Sequence, residues 1–480
     1  MNAESAPSAG NAESAGSTGS AGTQAAGRAG ERAEAGTRDE ATHDVVVVGG
    51  GIAGLAAAIH LRRRGLSVLC LEPDGFPHDR VGESLDWSAP RLLAELDVPC
   101  QSLLDEGAAI YKRNIKIVAT DRAPYTAQPE PWFEKPPLGF NTVTFHVDRG
   151  AMDQHLFEVA SRLGTEFWWE RVVEIEAADE EVVAVTTASG RRARAPWFLD
   201  ASGRGARLFA RRFAIPRCDY GPEKVCFWTY FQSPPTNEGT TFYADASGDP
   251  YLAWIWEIPI SPATLSIGSV LLADHVRDER KRGRTVQDIF QAQLARFPRF
   301  AAFLAERDGP EIRVTAYRSY VYERACGPNW LILGEAASLP DPLTANGVTA
   351  AMRHAAEAAA MLAESFDGGR LTSRQRWTYD TNVRRMGRAF NHSIEAAIYD
   401  WPIRVGLGVM PAQKVYTAFS YTINALYSKY RPGRWLSIQL FGCVLTGVRL
   451  WIDSWSMLGR LALRARPSRR PRALQVTGLG

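Results

Sequence analysis

Six cysteines are spread along the 480 residues (Cys70, Cys100, Cys218, Cys226, Cys326 and Cys443), and none forms a CxxC pair or stands beside a histidine cluster. That excludes a zinc module and a disulfide framework, so no metal is expected and the thiols read as reduced, as in a cytoplasmic protein. Charge of one sign is lacking too: the formal net charge is +2, which excludes nucleic acid as the main partner. Residues 1–43 have no aromatic and almost no branched apolar residue. Such a stretch cannot bury enough surface to offset its ordering entropy, so a disordered tail is expected, and without an apolar centre it is no secretory signal. No apolar stretch reaches the roughly 20 residues that span a bilayer. The apolar stretch Trp435–Val448 falls short of this, and past Ser456 the chain carries Arg460, Arg464, Arg466, Arg469, Arg470 and Arg472 and no acid. Two readings fit: a helix packed on the body with a solvated tail, or an interfacial helix making peripheral membrane contact.

What is present begins abruptly after the tail. Val45-Val46-Val47-Val48 is a β-branched run of the kind that forms a parallel strand buried on both faces. Gly49-Gly50-Gly51-Ile52-Ala53-Gly54 follows and fits GxGxxG, and Leu55-Ala56-Ala57-Ala58-Ile59 continues as a helix. Gly49 permits the tight turn, Gly51 lets a pyrophosphate approach the backbone, and Ala53 and Gly54 lie where helix and strand pack closely. A second strand, Leu66–Leu71, ends at Glu72, the position of an acid that takes the ribose hydroxyls of an adenosine. Strand, turn, helix, strand and acid in this order predict a dinucleotide site. No second GxGxxG follows, so a resident nicotinamide domain is not expected. From 44 to about 365 strand-like and helical patterns alternate, and from 366 to 480 the chain reads as helical.

Further segments carry a resemblance. Val147-Asp148-Arg149 with Asp153, the Asp200-Ala201-Ser202-Gly203-Arg204 turn, and Gly334-Glu335-Ala336-Ala337 followed by Asp341-Pro342-Leu343-Thr344-Ala345-Asn346-Gly347 are similar to the FAD-binding elements of flavin hydroxylases and halogenases. Trp254-Ile255-Trp256-Glu257-Ile258-Pro259 matches WxWxIP, and Arg80-Val81-Gly82-Glu83-Ser84 resembles the R-x-G-E-S turn of the same enzymes. The chain therefore resembles the flavin-dependent halogenases of the phenol and pyrrole type, within the wider flavin monooxygenase and geranylgeranyl-reductase-like superfamily. The resemblance implies an α/β protein: a Rossmann-type FAD-binding domain with an interleaved β-sheet substrate domain (about 110–145 and 220–320) and a C-terminal helical region. It implies FAD held by Gly49, Gly51, Ala53, Gly54, Glu72, Arg80, Ser84, Arg149, Asp200, Glu335 and Gly347, and halide beside Asn346 and Gly347. FAD would arrive as FADH2 from a separate flavin reductase.

The implied reaction runs through a flavin C4a-hydroperoxide and hypohalous acid relayed by a lysine to an electron-rich aromatic or pyrrole-like substrate, free or tethered to a carrier protein. Lys112 stands three residues before Ile115-Lys116-Ile117, the spacing of that lysine; Lys116 is the competing register. By strand alternation Ile110, Lys112, Asn114 and Lys116 would share one polar face, which makes a solvated lysine the plain alternative. Trp254 and Trp256 would likewise share a face, either as core aromatics or as two stacked indoles walling the substrate from the flavin, with Pro259 ending the pairing. Two positions depart from the family pattern. Thr344 stands where tryptophan halogenases carry glutamate, and Asn346 where Ser or Thr is usual. They favour a phenol or pyrrole over free indole and leave a second reading, an FAD-dependent reductase or hydroxylase of a lipidic or polyene substrate.

Overall fold

The computed structural model describes residues 40–76, 80–119, 124–135, 141–244, 252–304, 311–399, 418 and 435–465. The tail expected to be disordered lies outside the described residues up to Asp39. Its last residues, Glu40–Thr42, form a short strand paired in parallel with Arg192–Arg194, at the edge of a four-stranded sheet completed by Glu181–Thr187 and Val172–Ala178.

The valine run forms the centre of a parallel five-stranded sheet. Its order is Trp330–Ile332, Trp197–Asp200, Val45–Val48, Val68–Leu71 and Glu166–Trp168. All four valines are buried, as two-sided coverage by helices requires. The helix Ile52–Arg62 buries nine of its eleven residues because its alanines let the sheet and the helices Arg149–Arg162 and Gly347–Ser365 approach on different sides.

The second sheet has eight strands in the order Ser338–Leu339, Arg313–Tyr322, Arg217–Gln232, Thr264–Leu272, Trp254–Ser261, Gly239–Ala244, Asn114–Ala119 and Tyr125–Gln128. It is interleaved with the cofactor half of the chain, as expected, and recruits residues 338–339 beyond the anticipated limits. Alternation divides its faces. Val225, Phe227, Ile255 and Ile267 pack on one side with Phe290, Phe297 and Phe300, while Cys226, Trp228, Trp254, Trp256 and Ile258 join the main core. Pro259 does not end the pairing: it stands opposite Leu265, and the strand runs on to Ser261 past an irregularity. The proline is tolerated because the neighbouring strand on its other side stops pairing at Glu257, so no ladder bond is missing there.

Chain 109–119 is broken where one strand was expected. Ala109–Tyr111 pairs with Phe145–Val147 as a separate ribbon, and Asn114–Ala119 belongs to the large sheet. Lys112 falls in the gap between them, so the alternation argument does not govern it. In the C-terminal region the apolar stretch Trp435–Val448 is half of a longer helix, Trp435–Ala465, packed on Ser373–Ile394. Among the described residues no helix is long and apolar enough to cross a membrane.

Candidate functional site

The first half of the site is made of backbone. Gly49 has φ +106°, and a Cβ there would lie 2.4 Å from the Ala201 carbonyl oxygen; at Gly54 it would lie 1.8 Å from the Gly49 carbonyl oxygen. Both glycines are required by the close approach of strand, turn and helix. Gly51 differs, since a Cβ would meet only the tip of Arg80, Nη1, at 2.7 Å. Its bare backbone and the guanidinium together leave a cationic cradle at the start of a helix, the donor set that suits a pyrophosphate. Glu72 is buried and accepts the Gly50 N–H at 2.5 Å, which ties the acid to the turn. Ala53 is buried in the first turn of the helix.

Arg149 is buried and donates to both oxygens of Asp153 (3.2 and 3.1 Å) and, through Nη1, to the Val81 carbonyl at 3.0 Å. Gly82, at φ +118°, has room for no Cβ against that guanidinium. Arg149 thus props the Arg80–Ser84 turn. The Asp200 carboxylate is turned inward: it accepts from the Ser202 amide and hydroxyl (3.0 and 2.5 Å) and the Phe209 amide (2.8 Å), and burial pushes its pKa up. Its geometry shapes the turn rather than presenting an acceptor. Glu335 has an exposed carboxylate 4.0 Å from Arg204, and Tyr320 donates to its carbonyl at 2.6 Å. Next to it the Gly334 amide donates to Nδ1 of His354 at 3.1 Å, and burial, helped by the Arg353 charge, lowers that imidazole to about 4 and keeps it neutral. Glycine turn, Arg80, Glu72 and the open Glu335 carboxylate fit FAD as the bound group.

The second half is made of side chains from distant parts of the chain. Lys112 is buried and donates from Nζ to the Ser84 hydroxyl at 2.9 Å and the Leu85 carbonyl at 3.4 Å. Burial pulls its pKa down to about 8 against the opposing charge of Asp86. Ser84, assigned above to the cofactor, has its hydroxyl on this lysine. Lys116 is only half-buried, in the strand Asn114–Ala119. Opposite Ser84 in a strand bridge stands His146, wholly buried, neither ring nitrogen of which has a hydrogen-bond partner among the described residues. Burial, then the Lys112 charge, holds it well below the ordinary imidazole range, so it is neutral.

Asp86 links this lysine to the halide candidate. It accepts the Ser88 amide at 2.7 Å and the Thr349 hydroxyl, and faces Arg353 at 3.6 Å. The Thr349 hydroxyl also lies 3.1 Å from the carbonyl of Asn346. Asn346 is buried and Gly347 opens the helix Gly347–Ser365, with Ala345 at φ +57° turning the chain into it.

Trp254 and Trp256 are buried on one face with ring centroids 5.8 Å apart, inclined at 47° rather than stacked. Each is pinned by its indole N–H: Trp256 donates to Ser266 Oγ (3.1 Å), which donates to Glu83 (3.1 Å), and Trp254 donates to Tyr399 Oη (2.8 Å). Gly268 stands opposite Trp256 across the strands, where any Cβ would strike the indole. The strand Trp254–Ser261 packs against the ribbon 109–111/145–147 that flanks Lys112. Wall, lysine and Arg80–Ser84 turn therefore share one region.

Sequence reasoning passed over His146, Asp86, Lys224 and Tyr399. His146 and Asp86 adjoin quoted motifs, while Lys224 and Tyr399 carry no local signal.

Residues 127–396 match the family model described as tryptophan halogenase, and residues 44–92 that of FAD dependent oxidoreductase. A 1H-pyrrole-2-carbonyl-[peptidyl-carrier protein] brominase of Pseudoalteromonas luteoviolacea is 28% identical over 336 residues, 68% of this chain and 79% of that one. The corresponding chlorinase of Pseudomonas fluorescens is 26% identical, covering 65% and 74%. Among solved structures, the flavin-dependent brominase Bmp2 superposes with a TM-score of 0.63 at 22% identity, over 88% of this chain and 98% of that one. A geranylgeranyl bacteriochlorophyll reductase-like protein of Thermoplasma acidophilum gives 0.61 at 17% identity, over 87% and 100%. The fold is thus shared by proteins named for different activities.

Proposed function

The chain belongs to the tryptophan halogenase family, whose model it matches over more than half its length, and as an FAD-dependent halogenase we propose that it halogenates an electron-rich aromatic or pyrrole-like ring by way of Lys112. The family match supports halogenation over the reductase or hydroxylase alternative. FAD, bound and reduced, supplies the oxidation of chloride or bromide by O2 to hypohalous acid.

The protein's own residues divide the work. Gly51, Arg80 and Glu72 hold the cofactor, and Asn346 with the amides opening the helix Gly347–Ser365 receives the halide. Trp254 and Trp256 keep the organic ring from the cofactor, so the oxidant is spent on halide first. Lys112 then presents the halogen to the ring. A lysine with pKa near 8 has an appreciable fraction of free amine at neutral pH, which an exposed lysine lacks. The observation that carries the reading is this buried Lys112, held by Ser84 in the region of the tryptophan wall.

Thr344 in place of a glutamate favours rings already rich in electrons, and two relatives named for carrier-bound pyrrole-2-carbonyl substrates support a pyrrole of that kind, presented on a carrier protein. With no second glycine turn for a nicotinamide, a separate flavin reductase supplies FADH2. Membrane contact is peripheral, through the helix Trp435–Ala465: Leu440, Leu450, Met457 and Leu461 are exposed on it, with Arg460 and Arg464 beside them. The test supplies the holoenzyme with a flavin reductase, NADH and bromide, and offers an activated phenol in one arm and a carrier-bound pyrrole-2-carbonyl thioester in the other. Mass spectrometry should find a brominated product in at least one arm. Turnover of reduced flavin with unhalogenated product in both would overturn the reading.

A further inference from the structure

Lys224 has no exposed surface, which is costly for an ammonium unless opposite charge meets it. It lies on the strand Arg217–Gln232, next to an irregularity between Tyr220 and Lys224, and points to the same face as Cys226 and Trp228. Its Nζ donates to Asp341 Oδ2 at 3.1 Å and to Glu395 Oε1 at 2.5 Å, and lies 4.3 Å from the centre of the Tyr399 ring.

Asp341 begins the Asp-Pro-Leu-Thr-Ala-Asn-Gly turn. Besides Lys224 it accepts the Leu343 amide (3.1 Å) and the Tyr399 hydroxyl (3.1 Å) on Oδ1, and so fixes the short turn Pro342–Thr344 that leads to Asn346. The Tyr399 oxygen is used twice. It accepts from the Trp254 indole and donates to Asp341, so one hydroxyl joins the tryptophan wall to the turn before the helix Gly347–Ser365. Phenylalanine fills the same volume and can do neither.

We propose that Tyr399 is a positioning residue that locks the Trp254 indole to the Asp341 turn, with Lys224 as the fixed counter-charge, so that the substrate wall and the cofactor-side turn move as one body. The inference rests on the reading that oxidant must pass from the flavin side to Lys112 without reaching solvent. A wall that shifts independently of the turn opens a gap between them, and hypohalous acid then escapes before it reaches the lysine.

Two measurements on the full-length Tyr399→Phe holoenzyme test this. In hydrogen exchange, amides of 254–258 and of 338–346 should speed up together by about fivefold, the factor expected from one ordinary hydrogen bond, while those of 45–71 stay unchanged. Acceleration in only one of the two segments, or in neither, overturns the coupling. With reduced FAD, bromide and monochlorodimedone as a solution trap, the share of bromine captured by the trap should rise by about the same factor at unchanged flavin oxidation. An unchanged share overturns the role in retention. Trp254→Phe keeps the aromatic bulk and removes the indole N–H that Tyr399 accepts, so it should speed exchange in both segments alike, and it decides the coupling if Tyr399→Phe does not fold. Should the unaltered protein brominate nothing, the halogenase reading has failed while hydrogen exchange still decides the coupling.

Discussion

The cofactor cradle and the surroundings of Lys112 are built by opposite means. The cradle is made of backbone: Gly49, Gly51 and Gly54 shape it by what they lack, and Glu72, which accepts the Gly50 N–H, follows 22 residues after it. Around Lys112 the site is made of side chains that the fold gathers from far apart. Ser84 meets Lys112 across 28 residues, Trp254 meets Tyr399 across 145, and Ser266 meets Glu83 across 183. A backbone site is specified locally and tolerates much around it. A gathered site depends on every element that delivers a member, so its function is separable from folding only by substitutions that keep volume.

That contrast predicts a graded series. The largest effect belongs to the cradle. Gly51→Val should abolish FAD retention in a protein that still folds, because a branched side chain enters the space beside Arg80 where the pyrophosphate must lie. Flavin occupancy measured by absorbance after gel filtration checks it. Next is Asp153→Ala, which leaves the Arg149 guanidinium buried without its carboxylate and should cost about 3–5 kcal/mol in denaturant unfolding.

At Lys112, pH should separate the two halves of the reaction. Lys112 is charged below about 8 and an amine above it, so halogen transfer in single turnover should rise as pH passes through about 8, while flavin oxidation does not follow that curve. Burial of the ammonium sets this midpoint, with the Asp86 charge opposing it. A profile that falls instead would assign the ammonium, as a hydrogen-bond donor, to the task. Smaller still, Lys116→Ala should alter turnover less than about twofold, since that side chain is half-buried in the sheet and outside the Ser84 contact. Least of all, removing residues 1–38 should leave FAD binding and melting temperature unchanged, because the cut stops before the strand Glu40–Thr42.

The same contrast governs how much could be read from the sequence. The parallel sheet and the glycine turn are legible because valine runs and glycine spacing are local signals, whereas the interleaved second sheet follows only from the resemblance. Resemblance and spacing single out Lys112, but alternation over 110–116 presumes one strand, and the chain leaves the ribbon at Lys112. The 47° inclination of the tryptophans follows from separate partners, Tyr399 and Ser266, that no motif announces. The Asp200 carboxylate shows the reverse, a motif acid whose partners prove to be its own turn. His146 and Lys224 were invisible because their significance is burial, a property of the assembled fold.

The central claim is that oxidant is made on one side of the Trp254/Trp256 wall and delivered by Lys112 on the other. Rapid-mixing of the reduced Lys112→Ala holoenzyme with oxygenated bromide, followed by optical detection of flavin oxidation and mass spectrometry of the quenched substrate, tests it most directly. Flavin oxidation within about twofold of the unaltered protein, together with loss of brominated product, is the predicted result, and Lys112→Arg should behave alike because a guanidinium with pKa above about 12 supplies no amine. Brominated product at the unaltered rate from Lys112→Ala, or flavin oxidation that collapses with it, would contradict the account.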